Sequence, residues 1–318
     1  MSEHSPAAGK PIGVGIVSPD PAAEDGPLAG MPGHLFEPAA VSDEGMTDPA
    51  EYDGPAPCYS DFNMLLEDEQ VELVVVEGPV EKRRDFAVRA LNAGRHVVIT
   101  QPFAETAVDA ARVMKTALKA GLVATSDMAW RDDRDLASLM GALAAENVAT
   151  VQGALVFRTT PAPPDGTPGQ SLLSEAGIEV LDQVHMLLRD DVKTVSAHLQ
   201  APATGAPDDG FLIYLPLRLG GWAIAHAARR AIPALPAWLV HTPGMTFTTS
   251  GGRTVAATSA GEERVYEAPA ERVDFWENLF GAIRQGEPVK CHPADVVKAM
   301  KLHEAALASA ETGEPVSI

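Results

Sequence analysis

The chain has 318 residues, 21% charged residues and a formal net charge of −20. Its length predicts two domains, and its acidity excludes nucleic acid as an expected partner, because a phosphate backbone requires a basic face. No apolar run approaches the roughly 18 residues of a membrane span, and the N-terminus lacks the apolar core of a signal peptide. Two distant cysteines, Cys58 and Cys291, favour a reduced setting, so we expect a cytoplasmic protein without a membrane partner.

The first part of the chain alternates apolar strands with helices. The strands are apolar throughout, which indicates a parallel sheet buried on both faces. We therefore predict an α/β domain over residues 1–128, with a Rossmann-like doubly wound parallel sheet of the dinucleotide-binding type. The predicted strands are 11–18, 38–42, 71–79, 96–100 and 122–128, and the predicted helices are 61–69, 81–94 and 106–121.

After residue 128 the pattern changes to strands of alternating polarity, which are typical of a sheet with one exposed face. We predict an α+β domain over residues 129–318 with a large, mainly antiparallel sheet, whose C-terminal helix is able to pack back on the first domain. The predicted helices are 134–148, 172–188, 272–287 and 293–314, with strands at 149–160 and 193–201 and more within 210–228 and 237–259; a Pro/Gly loop covers 161–170.

The turn after the first strand bears on dinucleotide binding. A Rossmann domain has a glycine-rich turn there, whose backbone N–H groups meet the diphosphate. Gly13 and Gly15 lie inside the strand instead, and the turn at 18–23 reads Ser-Pro-Asp-Pro-Ala-Ala. Its two prolines lack N–H donors and Asp20 adds negative charge, so the sequence favours a surface turn without a ligand.

The segment RHVVITQPFAET, residues 95–106, places a neutral amide at the carboxyl end of a predicted strand. Chemistry in α/β proteins is usually placed at such strand ends. Gln101 can donate and accept hydrogen bonds there, but it cannot act as an acid or a base. The nearby charged run at 81–84, Glu-Lys-Arg-Arg, is interpreted as a solvated helix start.

A predicted helix carries three carboxylates spaced i, i+4 and i+7, and therefore on one face: Glu175, Glu179 and Asp182. Three interpretations stay open. The first is a solvated or salt-bridged face with Arg131 or Arg158 as partner, which we favour. The second is a pair for acid/base chemistry or for binding sugar hydroxyls. The third is an oxygen-ligated divalent metal that His185 could join, although we assign no metal.

Three segments in sequence order resemble the glucose–fructose oxidoreductase/inositol dehydrogenase (Gfo/Idh/MocA) family. They are residues 91–121 around Thr-Gln-Pro, residues 172–197 around the carboxylates, and residues 286–318 at the C-terminus. The resemblance extends from about residue 11 to the end. It implies a dinucleotide domain followed by an α/β domain whose open sheet often mediates oligomerisation, so we expect a homo-oligomer or a hetero-oligomer with a related subunit.

The resemblance also assigns catalytic positions. The family's Glu-Lys-Pro turn falls on residues 100–102, so its lysine position holds Gln101, and the family's Asp and His positions hold Glu175 and Glu179. In the family, the lysine and histidine lie beside the nicotinamide, orient the substrate hydroxyl and take its proton. Candidate residues of the substrate cleft are Trp130, Arg131, Asp182 and His185.

The cofactor positions of the family are altered as well. The family's Pro-Asn-x-x-His loop falls on residues 79–83 and keeps only Pro79, and its glycine-rich turn falls on residues 18–23 and keeps no glycine. If a dinucleotide binds, Asp43 after the second strand favours NAD over its 2′-phosphorylated form. The cofactor-equivalent positions are Ser18, Asp20, Asp43, Gly78, Pro79, Gln101 and Pro102.

Three functions follow as alternatives. The chain is a family member with impaired redox activity, serving as a binding module or as the non-catalytic partner of a related subunit. Alternatively, it is an active oxidoreductase on a sugar, cyclitol or polyol, in which Glu175 or Glu179 replaces the usual base. The third alternative is a non-redox carbohydrate enzyme that uses the three carboxylates. We favour the first, because four separate motifs are altered together.

Overall fold

The computed structural model describes residues 10–18, 30–42, 52, 54, 56–160, 170–188, 192–229, 235–270 and 274–318. Two predicted site residues, Asp20 and Asp43, lie outside the described residues, as do residues 161–169 of the predicted loop. The chain forms two compact units. The first comprises residues 1–127 and 273–297, and the second comprises residues 128–272 and 298–318.

The first unit contains a parallel sheet of six described strands in the order β3-β2-β1-β4-β5-β6. The chain builds outward from β1 in one direction and returns to add β4, β5 and β6 on the other side. The point where the order reverses therefore lies between β1 and β4. The strands are β1 Ile12–Val17, β2 Phe36–Ser42, β3 Cys58–Tyr59, β4 Leu73–Val76, β5 His96–Ile99 and β6 Ala124–Thr125.

Local signals set the helices of this unit. Asp61 caps the first helix by accepting a hydrogen bond from the Asn63 N–H, and Thr106 caps the third in the same way from the Asp109 N–H. Gly121 ends the third helix in a left-handed conformation that favours glycine. The helices are α1 Phe62–Glu67, α2 Val80–Asn92, α3 Ala107–Ala120 and, from the C-terminal part of the unit, α6 Phe275–Gln285.

Every residue of β1 and β4 is buried, as expected for strands covered on both faces. One apolar cluster joins β1, β4 and β5 to Phe275, Leu279 and Phe280 of α6. A fully buried side chain of this size contributes about 1.5–3 kcal/mol relative to its exposed state. The core therefore fixes the sheet, whose carboxyl edge holds several of the predicted site residues.

The second unit contains a sheet of nine described strands in the order β14-β13-β12-β11-β7-β10-β9-β8-β15. All neighbours are antiparallel except β7 and β10, which run parallel. The strands are β7 Gly153–Thr159, β8 Thr194–Gln200, β9 Gly210–Pro216, β10 Trp222–Ala228, β11 Trp238–His241, β12 Met245–Ser250, β13 Arg253–Thr258, β14 Glu263–Glu267 and β15 Val316–Ser317.

The described residues of the second unit form the helices α4 Arg134–Ala145 and α5 Leu172–Leu188, and α7 Pro293–Thr312 begins in the first unit and continues into the second. A single-turn 3₁₀ segment, Ala129–Asp132, precedes α4. One apolar cluster joins one face of the sheet to α4, α5 and α7. The two sheets confirm the predicted fold class. None of the helices formed by the described residues is long and apolar enough to cross a membrane.

Candidate functional site

The carboxyl edge of the parallel sheet carries a hydrogen-bonded acid at its reversal point. Ser18 follows β1, is buried, and donates a hydrogen bond of 2.5 Å from its hydroxyl to the Glu77 carboxylate, which follows β4. The backbone N–H of Glu77 donates to the Val17 carbonyl at 2.8 Å. A carboxylate therefore lies at the end of the sheet where doubly wound folds commonly bind phosphate groups.

The glycines of β1 have a packing role. A Cβ atom on Gly13 would lie 1.8 Å from the Gln70 carbonyl oxygen, and one on Gly15 would lie 2.7 Å from a methyl carbon of Leu65. Both glycines allow the segment after α1 to approach the strand closely. They lie within β1 and are not part of the turn that follows it, in agreement with the sequence analysis.

The prediction of a solvated helix start at 81–84 is wrong for Arg83, which is only 8% exposed. Its guanidinium donates hydrogen bonds to four backbone carbonyls at 2.5–2.9 Å, those of Glu77, Gly78, Thr100 and Pro102. Burial is the main cause that lowers the pKa of this guanidinium. Arg83 therefore ties the loop before α2, where Pro79 is the N-terminal cap residue, to the turn after β5.

Gln101 has one satisfied and one unsatisfied amide atom. Its Nε2 donates to the Ser126 hydroxyl at 2.8 Å, and that hydroxyl donates to the Ile99 carbonyl at 2.7 Å. The Gln101 Oε1 atom is buried without a hydrogen-bond partner, and the peptide bond to Pro102 is cis. A buried acceptor without a donor is unfavourable, so this atom is available to a ligand donor.

Those residues of this edge that the structure describes suit a dinucleotide poorly. The carboxylate of Glu77 repels phosphate charge at the reversal point, and the described part of the edge presents acceptors such as Gln101 Oε1. At the end of β2, the Ser42 hydroxyl is also buried without a hydrogen-bond partner. Asp43, the residue predicted to bind a ribose diol, is outside the described residues.

In the second unit, the three carboxylates of α5 lie in three different environments. Asp182 is fully buried and forms a bidentate ion pair with Arg131, whose Nη2 lies 2.6 Å from Oδ1 and whose Nε lies 2.8 Å from Oδ2. It also accepts a hydrogen bond from the Trp130 indole N–H at 2.8 Å. These three predicted cleft residues therefore contact one another directly. Their hydrogen bonds stabilise the start of the second unit and leave little capacity for a ligand.

Glu175 and His185 lie towards opposite ends of α5. Glu175 forms an ion pair with Arg229, and its side chain remains 46% exposed. His185 is partly buried, two turns further along the helix than Glu179. Among the described residues, no group of three or more His, Cys, Asp or Glu side chains could hold a metal ion.

Glu179 is partly buried, and none of the described residues forms a hydrogen bond or ion pair with it. Burial raises the pKa of its carboxyl, Arg158 lowers it, and Asp133 adds a further rise. Glu179 is therefore the carboxylate of the three that is available to a ligand or a proton. It occupies the position that the resemblance assigns to the family's histidine.

Two residues beside Glu179 were not among the predicted site residues, although Arg158 was predicted as a partner of the carboxylates. Arg158 on β7 donates to the Gln183 side chain, whose Nε2 donates to the Trp130 carbonyl at 2.7 Å. The Nε atom of Arg158 is buried without a partner, and its Nη2 lies 3.6 Å from Asp133. Gln183 lies one turn after Glu179 on α5, and this i, i+4 spacing is the signal that could have identified it.

Glu179→Gln is expected to make the protein more resistant to urea at neutral pH. The folded pKa of Glu179 lies above its unfolded value, so ionisation costs folding free energy as the pH rises through the folded pKa, and below the unfolded pKa this cost is absent. The urea midpoint of the variant should therefore equal that of the parent chain below the unfolded pKa, and exceed it increasingly as the pH rises through the folded pKa. A difference in midpoint that does not change from acid to neutral pH would contradict the assignment.

Comparison with known proteins finds similarity in the first part of the chain. Residues 29–128 match the GFO_IDH_MocA model, described as an oxidoreductase family with an NAD-binding Rossmann fold. Inositol 2-dehydrogenase of Salmonella typhimurium is 31% identical over 146 residues, which are 44% of this chain and 42% of the relative. Inositol 2-dehydrogenase 2 of Saccharopolyspora erythraea is 27% identical over 151 residues, 47% of this chain and 44% of the relative. The match spans less than half the length of these curated relatives.

Solved structures share the fold over nearly the whole chain. An oxidoreductase from Agrobacterium radiobacter, in complex with NAD+, L-tartaric acid and magnesium, has a TM-score of 0.78 at 18% identity, covering 96% of this chain and 98% of the other. An oxidoreductase from Bacillus cereus has a TM-score of 0.77 at 15% identity, with coverages of 96% and 98%. At these identities the likeness shows the fold alone. The family model and these folds agree with the predicted resemblance to Gfo/Idh/MocA, which the model confirms over residues 29–128.

Proposed function

We propose that this chain is a Gfo/Idh/MocA protein with impaired redox activity, acting as a binding module or as the non-catalytic partner of a related subunit. The proposal rests on the side chain of Gln101, a neutral amide at the family's lysine position. Its amide nitrogen is held by Ser126, and it offers no proton that can be transferred at ordinary pH. A site that lacks the family's lysine can still bind a hydroxyl, but it cannot assist proton removal at that position.

Sugar-like ligands are the class that we propose. The curated relatives are named inositol dehydrogenases, and inositol is a neutral polyol. Glu179 and the Gln101 amide oxygen are both acceptors without partners among the described residues, and hydroxyl groups supply the donors that such acceptors need. NAD is the cofactor that the family implies, and we propose that this chain binds it weakly at most.

Purified protein should form no NADH above background when it is incubated with NAD+ and a panel of polyols that includes myo-inositol. The physical reason is the missing proton acceptor at residue 101 together with an acid in place of the histidine at residue 179. Absorbance at 340 nm measures the product directly. A rate that depends on both NAD+ and polyol would contradict the proposal.

A second candidate function is supported by Glu179. A carboxyl whose pKa is raised by burial, and which has no hydrogen-bond partner among the described residues, is a reasonable general base for a hydroxyl proton. The chain would then be an active NAD-dependent polyol oxidoreductase. In that case Glu179→Gln should abolish the NADH formation described above, whereas Glu175→Gln should leave it unchanged. A non-redox carbohydrate enzyme has less support, because Glu175 and Asp182 are both engaged by arginines.

The proposed subunit partner has a candidate surface on the second sheet. Buried Phe211, Ile213 and Leu215 of β9 face the core, whereas Leu212 and Tyr214 between them are 37% and 41% exposed. Apolar side chains on the outer face of a sheet are typical of an interface. Sedimentation of the isolated chain tests whether it forms a homo-oligomer or requires a related subunit. A cytoplasmic location remains part of the proposal.

A further inference from the structure

We propose that Glu77 selects the ligand at the carboxyl edge of the parallel sheet, excluding phosphorylated compounds and accepting hydrogen bonds from the hydroxyls of a neutral, phosphate-free ligand. This inference rests on the proposed function and names its ligand class. It departs from the cofactor that the family implies, because the residues present at this edge do not suit a diphosphate.

The position of Glu77 is fixed by its neighbours. The register pairs Val17 with Val76, so the residues that follow them, Ser18 and Glu77, stand side by side at the reversal point. The Glu77 backbone is held by the Val17 carbonyl on one side and by Arg83 on the other. Its carboxylate accepts the Ser18 hydroxyl through Oε2. The acid is therefore fixed at both backbone and side chain.

The charge of Glu77 is not cancelled by an ion pair with any described residue. Arg83 donates to the Glu77 carbonyl and to three other carbonyls; it forms no hydrogen bond with the Glu77 carboxylate, although the two charges attract each other. The Ser18 hydroxyl is a neutral donor. A phosphate brought to this point would meet a negative charge that no described ion pair neutralises, in a partly buried site where screening by solvent is weak.

The turn after β5, the strand next to β4, adds a second hydrogen-bond acceptor. Val76 of β4 pairs with Ile99 of β5, so Glu77 and Thr100 follow the last pair of the two strands and Gln101 comes one residue later. The buried Oε1 atom of Gln101 lacks a donor. A carboxylate and an amide oxygen are both acceptors for the hydroxyls of a polyol or a ribose, since each hydroxyl can donate one hydrogen bond.

Isothermal titration calorimetry with two matched ligand pairs tests the proposal: myo-inositol with inositol 1-phosphate, and adenosine with AMP. One neutral ligand should bind, and which one does distinguishes a free polyol from a nucleoside. Its phosphorylated counterpart should bind at least about tenfold more weakly, and NAD+ should bind no better than the phosphorylated compound. Equal binding within the pair, or failure of both neutral ligands to bind, would overturn the proposal.

Glu77→Gln keeps the size and the hydrogen-bonding capacity of the side chain and removes its charge. It should reduce the discrimination against phosphate by about tenfold while changing the affinity for the neutral ligand only severalfold. Glu81→Gln, the same substitution at an exposed position on α2, is the matched control and should change neither affinity. Ser18→Ala retains the charge and should retain the discrimination. Unchanged discrimination in Glu77→Gln with an intact thermal transition would overturn the proposal.

Different results would overturn the role of Glu77 and the proposed function. Tight NAD+ binding without turnover would overturn the role of Glu77 and leave the redox-impaired assignment intact. Polyol-dependent NADH formation would overturn the redox-impaired assignment, whatever the binding preference of Glu77.

Discussion

Asp182→Asn is expected to lower the free energy of unfolding by about 3–5 kcal/mol, which is the usual cost of removing one partner from a buried ion pair. The carboxylate is fully buried and the Arg131 side chain is only 4% exposed, so the variant leaves an uncompensated guanidinium in the interior. It also weakens the acceptor of the Trp130 indole N–H. The chemical denaturation midpoint, followed by far-UV circular dichroism, measures the effect.

Glu175→Gln is the matched control for this experiment. It removes a carboxylate from the same helix that is 46% exposed, whereas its partner Arg229 is 9% exposed and also donates to the Gln170 carbonyl. Because solvent reaches the Glu175 carboxylate, the midpoint should move less than in Asp182→Asn. Similar shifts in both variants would contradict the assignment of Asp182 to a structural ion pair, and would show that Glu175 and Asp182 contribute equally to stability.

Arg83→Met is expected to be the second large effect, with a loss on the order of 3 kcal/mol. Methionine can fill part of the space but donates no hydrogen bonds, so four carbonyls lose a charged donor. Each unsatisfied buried acceptor costs about 1–3 kcal/mol before relaxation and water entry reduce the sum. Thermal unfolding measures the loss.

The same variant should loosen the turn that carries Gln101, and hydrogen exchange of residues 77–80 and 99–103 detects this directly. Arg84→Met is the control, because Arg84 is 39% exposed and pairs with Asp109 at the surface. We expect less than about 1 kcal/mol for the control and no change in exchange at the sheet edge. Equal effects of the two variants would contradict the role assigned to Arg83.

Much of the fold could be predicted because its signals are local. Asp61, Thr106 and Gly121 mark helix ends by capping chemistry, and α5 begins and ends where the apolar pattern does. The short β3 and the exposed β14 were not predicted. β3 has two residues, too few for a pattern, and the exposed residues of β14 lack an apolar face that would signal a strand.

The candidate site was predictable only in part. The resemblance assigns Gln101 and Glu179 to the site because these positions follow recognisable strand and helix motifs, and this assignment stays a prediction. The burial of Arg83 depends on the Thr100 and Pro102 carbonyls, 17 and 19 residues away, and a charged run at a helix start is usually solvated. Glu77 was missed for the same reason, since its partner Ser18 is 59 residues distant. Such contacts are set by the order of strands in the sheet.

The most direct test of impaired redox activity is a single-turnover experiment with the protein in excess over NADH and an oxidised polyol, for example an inosose. If the chain cannot assist proton transfer to the substrate, the nicotinamide absorbance at 340 nm should stay constant over hours. A decay of this absorbance that requires both the protein and the keto-polyol, and that Glu179→Gln eliminates, would contradict the account and identify Glu179 as the acid.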